Sequence, residues 1–127
     1  MKDRLLFNRR ITVDIIQKKV AEVRQVSLNN MLSLTSQQGT RKMELCKARQ
    51  LSMKLSKKYT KLSLAKIGSL HGNRDHATVL NACKSIDQLI ETRDSLILDD
   101  FNKLDKYLRE YVEPIPAQEE NIINTEK

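Results

Sequence analysis

Thr60-Lys61-Leu62-Ser63-Leu64-Ala65-Lys66-Ile67-Gly68-Ser69-Leu70-His71-Gly72-Asn73-Arg74-Asp75-His76-Ala77-Thr78-Val79-Leu80 is the stretch whose reading decides the fold. Ser63 can cap a short helix from Leu64 to Leu70, with Ala65, Ile67 and Leu70 available for packing. Gly72-Asn73 suits a tight turn, because both residues tolerate positive φ. Asp75 can then cap a second helix, its carboxylate accepting from backbone N–H groups that the first turn leaves unpaired. In that helix Val79, Leu80, Cys83 and Ile86 offer an apolar stripe. Gly68 inside the first helix is costly by propensity. In a helix-turn-helix a small residue there lets the helices approach closely. Two short helices joined by a glycine-containing turn fit that motif, although other α-hairpins share the pattern.

Upstream, Thr12 can cap a helix carrying Val13, Ile16, Val20 and Val23 on one face, with Gln17, Lys18, Glu22 and Arg24 on others. Ser27 can cap a short turn through Leu28, Met31 and Leu32, and residues 35–40 (TSQQGT) form a polar loop. A longer helix is expected from about Lys42 to Tyr59, with Met43, Cys46, Leu51, Leu55 and Tyr59 on its buried side. Arg41, Lys42, Lys47, Arg49, Lys54, Lys57 and Lys58 give it a dense positive surface; taken alone, such a face is ordinarily just solvated. Downstream, Leu89, Ile90, Ile97, Phe101, Leu104, Leu108 and Tyr111 keep helical spacing to about Val112, running on directly from the second motif helix. Pro114 and Pro116 end it. The expected architecture is an all-α helical bundle containing a helix-turn-helix, with an extended C-terminal helix over about 87–112. The whole domain spans 1–112, followed by a flexible tail over 113–127.

Composition agrees. The chain has 127 residues, room for one domain, with no Trp, three Tyr and two Phe. Three Gly and two Pro are too few turn formers for many short strands. The net charge of +7 is unevenly placed. Residues 1–86 carry 18 Lys and Arg against 5 Asp and Glu, a net of +13; residues 87–127 carry 5 against 11, a net of −6. A basic body with an acidic extension points to a polyanion partner for the first part.

Other classes find little support. Cys46 and Cys83 are isolated, outside any zinc spacing, and read as reduced, buried thiols; no metal and no cofactor is expected. Asp75 and His76 are adjacent, hence about 100° apart on a helix, and no nucleophile accompanies them, so no enzyme is expected. His71 reads as structural or exposed rather than as a ligand, and Met31, Met43 and Met53 as fillers of core gaps. No apolar run is long enough for a membrane span, and Leu5-Leu6-Phe7 is too short for a signal-peptide core. The expected location is the cytoplasm, at the nucleoid. Lys2, Arg4, Arg9, Arg10, Lys18 and Lys19 around Leu5, Leu6, Phe7 and Ile11 could also rest on an acidic phospholipid surface. Met at position 1 and the acidic extension lean toward an intact small protein rather than a fragment.

From Gly72 to Lys84 (GNRDHATVLNACK) the chain resembles the C-terminal DNA-binding domain of the bacterial replication initiator DnaA, whose signature runs near G-x-R-D-H-[ST]-T-V-x-x-A-x. Three upstream segments resemble that family in order: Ile11 to Gln17 its opening helix, Ala48 to Met53 its R-Q-x-x-M segment, and Leu62 to Gly68 its S-x-x-x-I-G helix. The likeness covers roughly 11–90. It implies double-stranded DNA binding at DnaA-box-like sites, in replication initiation or its regulation. It places Arg41 in the minor groove and Asp75, His76, Ala77 and Thr78 at base edges in the major groove. Arg49, Gln50, Lys57, Leu64, Ala65, Lys66 and Arg74 fall to the DNA backbone, the first three at the border of the motif. Chemistry fits these roles: an Asp carboxylate accepts from cytosine N4, and a small side chain packs on a thymine methyl. Ala77 departs from the family's Ser or Thr, Asn81 from a frequent His and Ala48 from a frequent Pro, which bears on fine sequence preference. No G-x-x-x-x-G-K-[ST] occurs, so no ATPase is implied. Two other readings stand beside this one: a less specific nucleic-acid or RNA binder, and an interaction module that forms a homodimer through residues 87–112.

Overall fold

The computed structural model describes residues 11–33 and 40–111, the side chains of Thr40 and Arg41 excepted. Six helices and no strand occur among them: α1 Val13–Arg24, α2 Leu28–Leu32, α3 Thr40–Tyr59, α4 Leu64–Leu70, α5 His76–Glu91 and α6 Ser95–Arg109. Of the expected loop over 35–40, residues 35–39 lie outside the described residues, as do the segment 1–10 and the tail over 113–127, while Thr40 already opens α3.

Short polar side chains start these helices. Thr12, Ser27, Ser63, Asp75 and Asp94 cap α1, α2, α4, α5 and α6, each accepting from the amide three residues on. Each cap contributes about 1 kcal/mol. The ends are equally local. Gln25 takes a left-handed φ of 57° after α1, and the Val26 amide reaches back to Ala21 at 3.0 Å. After α5, Arg93 does the same with φ 60°, while Asp94 donates to Leu89 at 2.9 Å and Arg93 to Ile90 at 3.1 Å. This paired closure ends α5 at Glu91, and Asp94 at once caps the next helix. The single continuous helix expected past Asp87 is therefore two helices.

Helix α3 runs through the centre and touches each of the other five helices. That explains why its middle is buried almost all round: Leu51, Ser52, Met53, Leu55 and Ser56 are all inside. The stripe that matters at its start is Leu45 and Ala48, not Met43, which is 62% exposed because no helix among the described residues covers that side of the first turns. Cys46 is half-buried. The main core joins Ile16, Val20 and Ala21 of α1, Met31 of α2, Leu45, Ala48, Leu51 and Leu55 of α3, Ile86 of α5, and Ile97, Leu104 and Leu108 of α6. A second, smaller core holds Met53, Ile67, Val79, Ala82 and Cys83, with Leu64 packed against it. It is the interior of the helix-turn-helix.

Three further burial expectations change. Gln17, placed on the polar side of α1, is buried, because its Nε2 donates to the Leu70 carbonyl at the end of α4 at 2.8 Å. Leu80, placed on the apolar stripe of α5, is 41% exposed, and Ala82 takes the inward position. Ala65 and Leu70 lie largely outside the core, so Ile67, with Leu64 packed at the edge, anchors α4 from within.

Candidate nucleic-acid interface

The motif helices α4 and α5 meet at a turn with almost no spare volume. The Arg74 amide donates to the Gly68 carbonyl at 2.8 Å, His71 donates to the same carbonyl at 3.0 Å, and Asn73 donates to Ser69 at 3.2 Å. A Cβ on Gly68 would run into the Arg74 carbonyl, so only glycine lets α4 lie this close to the start of α5. Gly72 (φ 80°) and Asn73 (φ 59°) supply the two left-handed positions, and a Cβ on Gly72 would collide with the Leu32 carbonyl.

His71 holds this turn to α3 from inside. Its ring is fully buried, with Nδ1 2.8 Å from the Ile67 carbonyl and Nε2 2.7 Å from the Ser52 hydroxyl. A carbonyl can only accept, so Nδ1 carries the proton and the Ser52 hydroxyl donates to Nε2. Burial lowers the His71 pKa below the ordinary 6.5, and the Arg74 and Arg49 charges add to it, outweighing the Ile67 carbonyl, which favours the charged form. The unfolded chain therefore binds this proton more readily than the folded one. The stability it contributes is complete above about pH 6.5 and is lost as pH falls through the window below it. Asp75 and Asp105 have pKa values lowered from 3.8, so their contributions are lost only in stronger acid. Between pH 7 and pH 5 the melting temperature should thus fall, and the His71 ring resonances should titrate below pH 6.5. A flat or rising melting temperature over that range would contradict the assignment.

The tip of α5 is open to solvent: Asp75, His76, Ala77 and Thr78 are all exposed. Asp75 Oδ1 accepts from the Thr78 amide at 2.9 Å and from its hydroxyl at 2.8 Å. The amide bond, then the hydroxyl bond, hold this carboxylate below its usual range. One oxygen of Asp75 thus stiffens the tip, and Oδ2 carries no hydrogen bond among the described residues. The exposed face continues through Leu80, Asn81 and Lys84. Lys84 and Lys61 went unnamed among the expected contacts. The i, i+4, i+8 spacing of His76, Leu80 and Lys84 is the signal that would have found the first.

Charge is sorted around this face. Three basic groups are paired with carboxylates of the later helices: Arg24 with Asp100 of α6 at 2.6 Å, Lys58 with Asp105 of α6 at 2.7 Å, and Lys54 with Asp87 near the end of α5 at 2.7 Å. Lys57, Lys61, Lys66 and Lys84 are exposed and make no ion pair among the described residues. Among the described residues, carboxylates from Asp87 onward thus pair with Arg24, Lys54 and Lys58, and these four lysines stay without one.

The other expected contacts fall as follows. Lys57 and Lys66 are exposed at the motif, as is Ala65, with Leu64 half-buried beside it. Gln50 is half-buried and its Oε1 accepts from Lys47 at 3.4 Å. Two arginines face inward instead. Arg49 donates to the Met31 carbonyl at 3.1 Å. Arg74 Nη1 donates to His71 at 2.7 Å and Leu32 at 3.4 Å, and Nη2 to Ser33 at 3.0 Å. The Arg41 side chain lies outside the described residues. Among the described residues no group of acidic, His and Cys side chains could hold a metal ion, and no helix is long and apolar enough to cross a membrane.

A seven-residue α4 packed closely on the start of the sixteen-residue α5, rather than on a second short helix, with the tip of α5 exposed, forms a helix-turn-helix DNA-binding domain. The family model described as the bacterial dnaA protein helix-turn-helix matches residues 13–86, and the chain belongs to that family. The chromosomal replication initiator protein DnaA of Flavobacterium psychrophilum is 46% identical over 97 residues, 75% of this chain and 19% of that protein. Its counterpart in Ehrlichia ruminantium (strain Gardel) is 45% identical over 100 residues, 78% of this chain and 20% of that protein. That of Chromobacterium violaceum is 42% identical over 102 residues, 80% and 21% respectively. The chain spans about a fifth of the length of the curated relatives it matches.

Proposed function

We propose that the chain reads double-stranded DNA at DnaA-box-like sites, in the initiation of chromosomal replication or its regulation, at the nucleoid in the cytoplasm. The observation that carries this reading is the exposed, capped tip of α5, on a domain whose exposed Lys57, Lys61, Lys66 and Lys84 make no ion pair among the described residues. Asp75, His76, Ala77 and Thr78 would enter the major groove, with Arg41 in the minor groove. Lys57 and Lys66 would neutralise phosphates, Gln50 and the backbone amides of Leu64 and Ala65 would donate to them, and Lys61 and Lys84 extend the same surface. The role is binding rather than catalysis, since the Asp75 carboxylate serves as a helix cap. Acidic-phospholipid contact is a secondary proposal; residues 1–10, which carry most of its basic and apolar groups, lie outside the described chain. Self-association is weaker still, because Ile97 and Leu104 are already buried within one copy.

The test is a titration of a DnaA-box duplex and a scrambled duplex at about 0.15 M salt. Tighter binding to the first is expected, with log K falling by about 0.9 per neutralised phosphate for each unit of log salt. His76→Ala should cost about 1–3 kcal/mol on the specific duplex only. Lys57→Ala should weaken both duplexes alike and reduce the salt slope by about one unit. Equal affinity for the two duplexes would leave a nonspecific binder, and identical losses in both variants would void the division of roles.

A further inference from the structure

Helix α2 is five residues long, so the Met31 and Leu32 carbonyls at its carboxyl end lie beyond its own hydrogen-bond ladder. Arginines from two other elements fill the need. Arg49 of α3 takes Met31, and Arg74, in the turn of the helix-turn-helix, takes Leu32 and Ser33 while also holding the His71 carbonyl of its own turn. The missing Cβ of Gly72 is part of the same contact, since the turn lies directly on the Leu32 carbonyl. The Arg74 main chain is meanwhile fixed to Gly68. One residue thus ties α2, α4 and the turn together immediately before Asp75, where α5 starts. Both terminal nitrogens of its guanidinium are occupied by these carbonyls, and charge-assisted hydrogen bonds of this kind are the strong ones.

We propose that Arg74 is a positioning residue for DNA reading: it straps the turn to the carboxyl end of α2, thereby aiming the tip of α5, and carries no phosphate itself. This rests on the DNA-site reading above. The strap accounts for the turn being held from three sides although it lies at the surface. It also distinguishes Arg from Lys, whose one ammonium would replace the two fixed nitrogens that Arg74 sets on three carbonyls.

Arg74→Lys and Arg74→Met test it in the full chain, first without DNA. Amide exchange at Asn73 and Arg74 should quicken about tenfold or more in both variants, while central α3 amides keep wild-type rates. With DNA, both variants should lose about tenfold on the DnaA-box duplex, with affinity for the scrambled duplex and the salt slope unchanged. In a double-mutant cycle with His76→Ala the losses should be less than additive, because a misaimed tip has already lost the His76 contact. Three results overturn the proposal. Unchanged exchange means there is no strap. Wild-type binding by Arg74→Lys, with a salt slope reduced by about one unit in Arg74→Met, makes Arg74 a phosphate contact. A wild-type chain that binds both duplexes equally removes the site reading, and the aiming role with it, while exchange still decides whether the strap exists.

Discussion

Truncation after Glu91 is expected to abolish cooperative melting. Helix α6 places Ile97, Leu104 and Leu108 in the main core, with Phe101 packed against it. Burying each of the first three stabilises by about 1.5–3 kcal/mol, an upper range because the unfolded chain already hides some surface. Together they rival the roughly 5–15 kcal/mol that holds an ordinary domain folded. The half-buried pair Arg24–Asp100 and the Asp105 carboxylate, which meets Lys58, Arg109 and the Tyr59 hydroxyl, would go as well. Burial alone would raise the Asp105 pKa, but these partners outweigh it and hold it low, as a pre-positioned pair requires. Leu104→Ala is the graded version, with an expected loss of about 2–5 kcal/mol in denaturant titration. Mass by light scattering should be that of one chain before and after truncation. A truncated chain that melts like the intact one, or a mass that halves on truncation, would return α6 to the role of a dimerisation helix.

Gly68→Ala should destabilise the domain and weaken DNA reading together. Two effects oppose each other here. Alanine is the better helix former by about 1 kcal/mol, which on an open helix would make the variant more stable. Against this stands the Arg74 carbonyl, within contact distance of the new methyl group and with the Asp75 carbonyl close by. These are main-chain atoms that cannot rotate aside. Overpacking of this kind costs about 1–3 kcal/mol and sometimes more, so the clash wins. Because the relief available is a shift of the turn away from α4, the tip of α5 moves with it. The expected result is a lower melting temperature together with a loss of discrimination between specific and scrambled duplexes. A gain in stability with unchanged discrimination would show that the two helices do not meet this closely.

Much of this was legible because it is local. Thr12, Ser27, Ser63 and Asp75 cap their helices through an amide three residues away, and Gly72-Asn73 turns through its own φ angles. The end of α5 was equally local yet missed. Its left-handed residue is Arg93 rather than Gly or Asn, so the usual composition signal is absent. Asp94-Ser95 as the start of a new helix was the remaining clue. In the candidate site, Asp75 to Thr78, Lys57 and Lys66 are exposed, as residues that meet a partner must be. Arg49 and Arg74 looked like the same kind of residue and are engaged inward.

What the sequence by itself determined is the helices up to α5 with the caps Thr12, Ser27, Ser63 and Asp75, the turn between α4 and α5, and the separation of a basic body from an acidic extension, but not the break between α5 and α6. What the tertiary structure alone decided is which side of each helix is inside and which charges remain unpaired. Gln17 is buried because Leu70, 53 residues away, needs a donor, and Met43 is exposed because no helix among the described residues covers its side of α3. Lys58 is paired and its neighbour Lys57 is not because Asp105 of α6 lies beside only one of them. Capping and turn energies act over three or four residues of chain, so they can be read along it. Burial and ion pairing depend on atoms brought from distant segments, and only the packed fold places those.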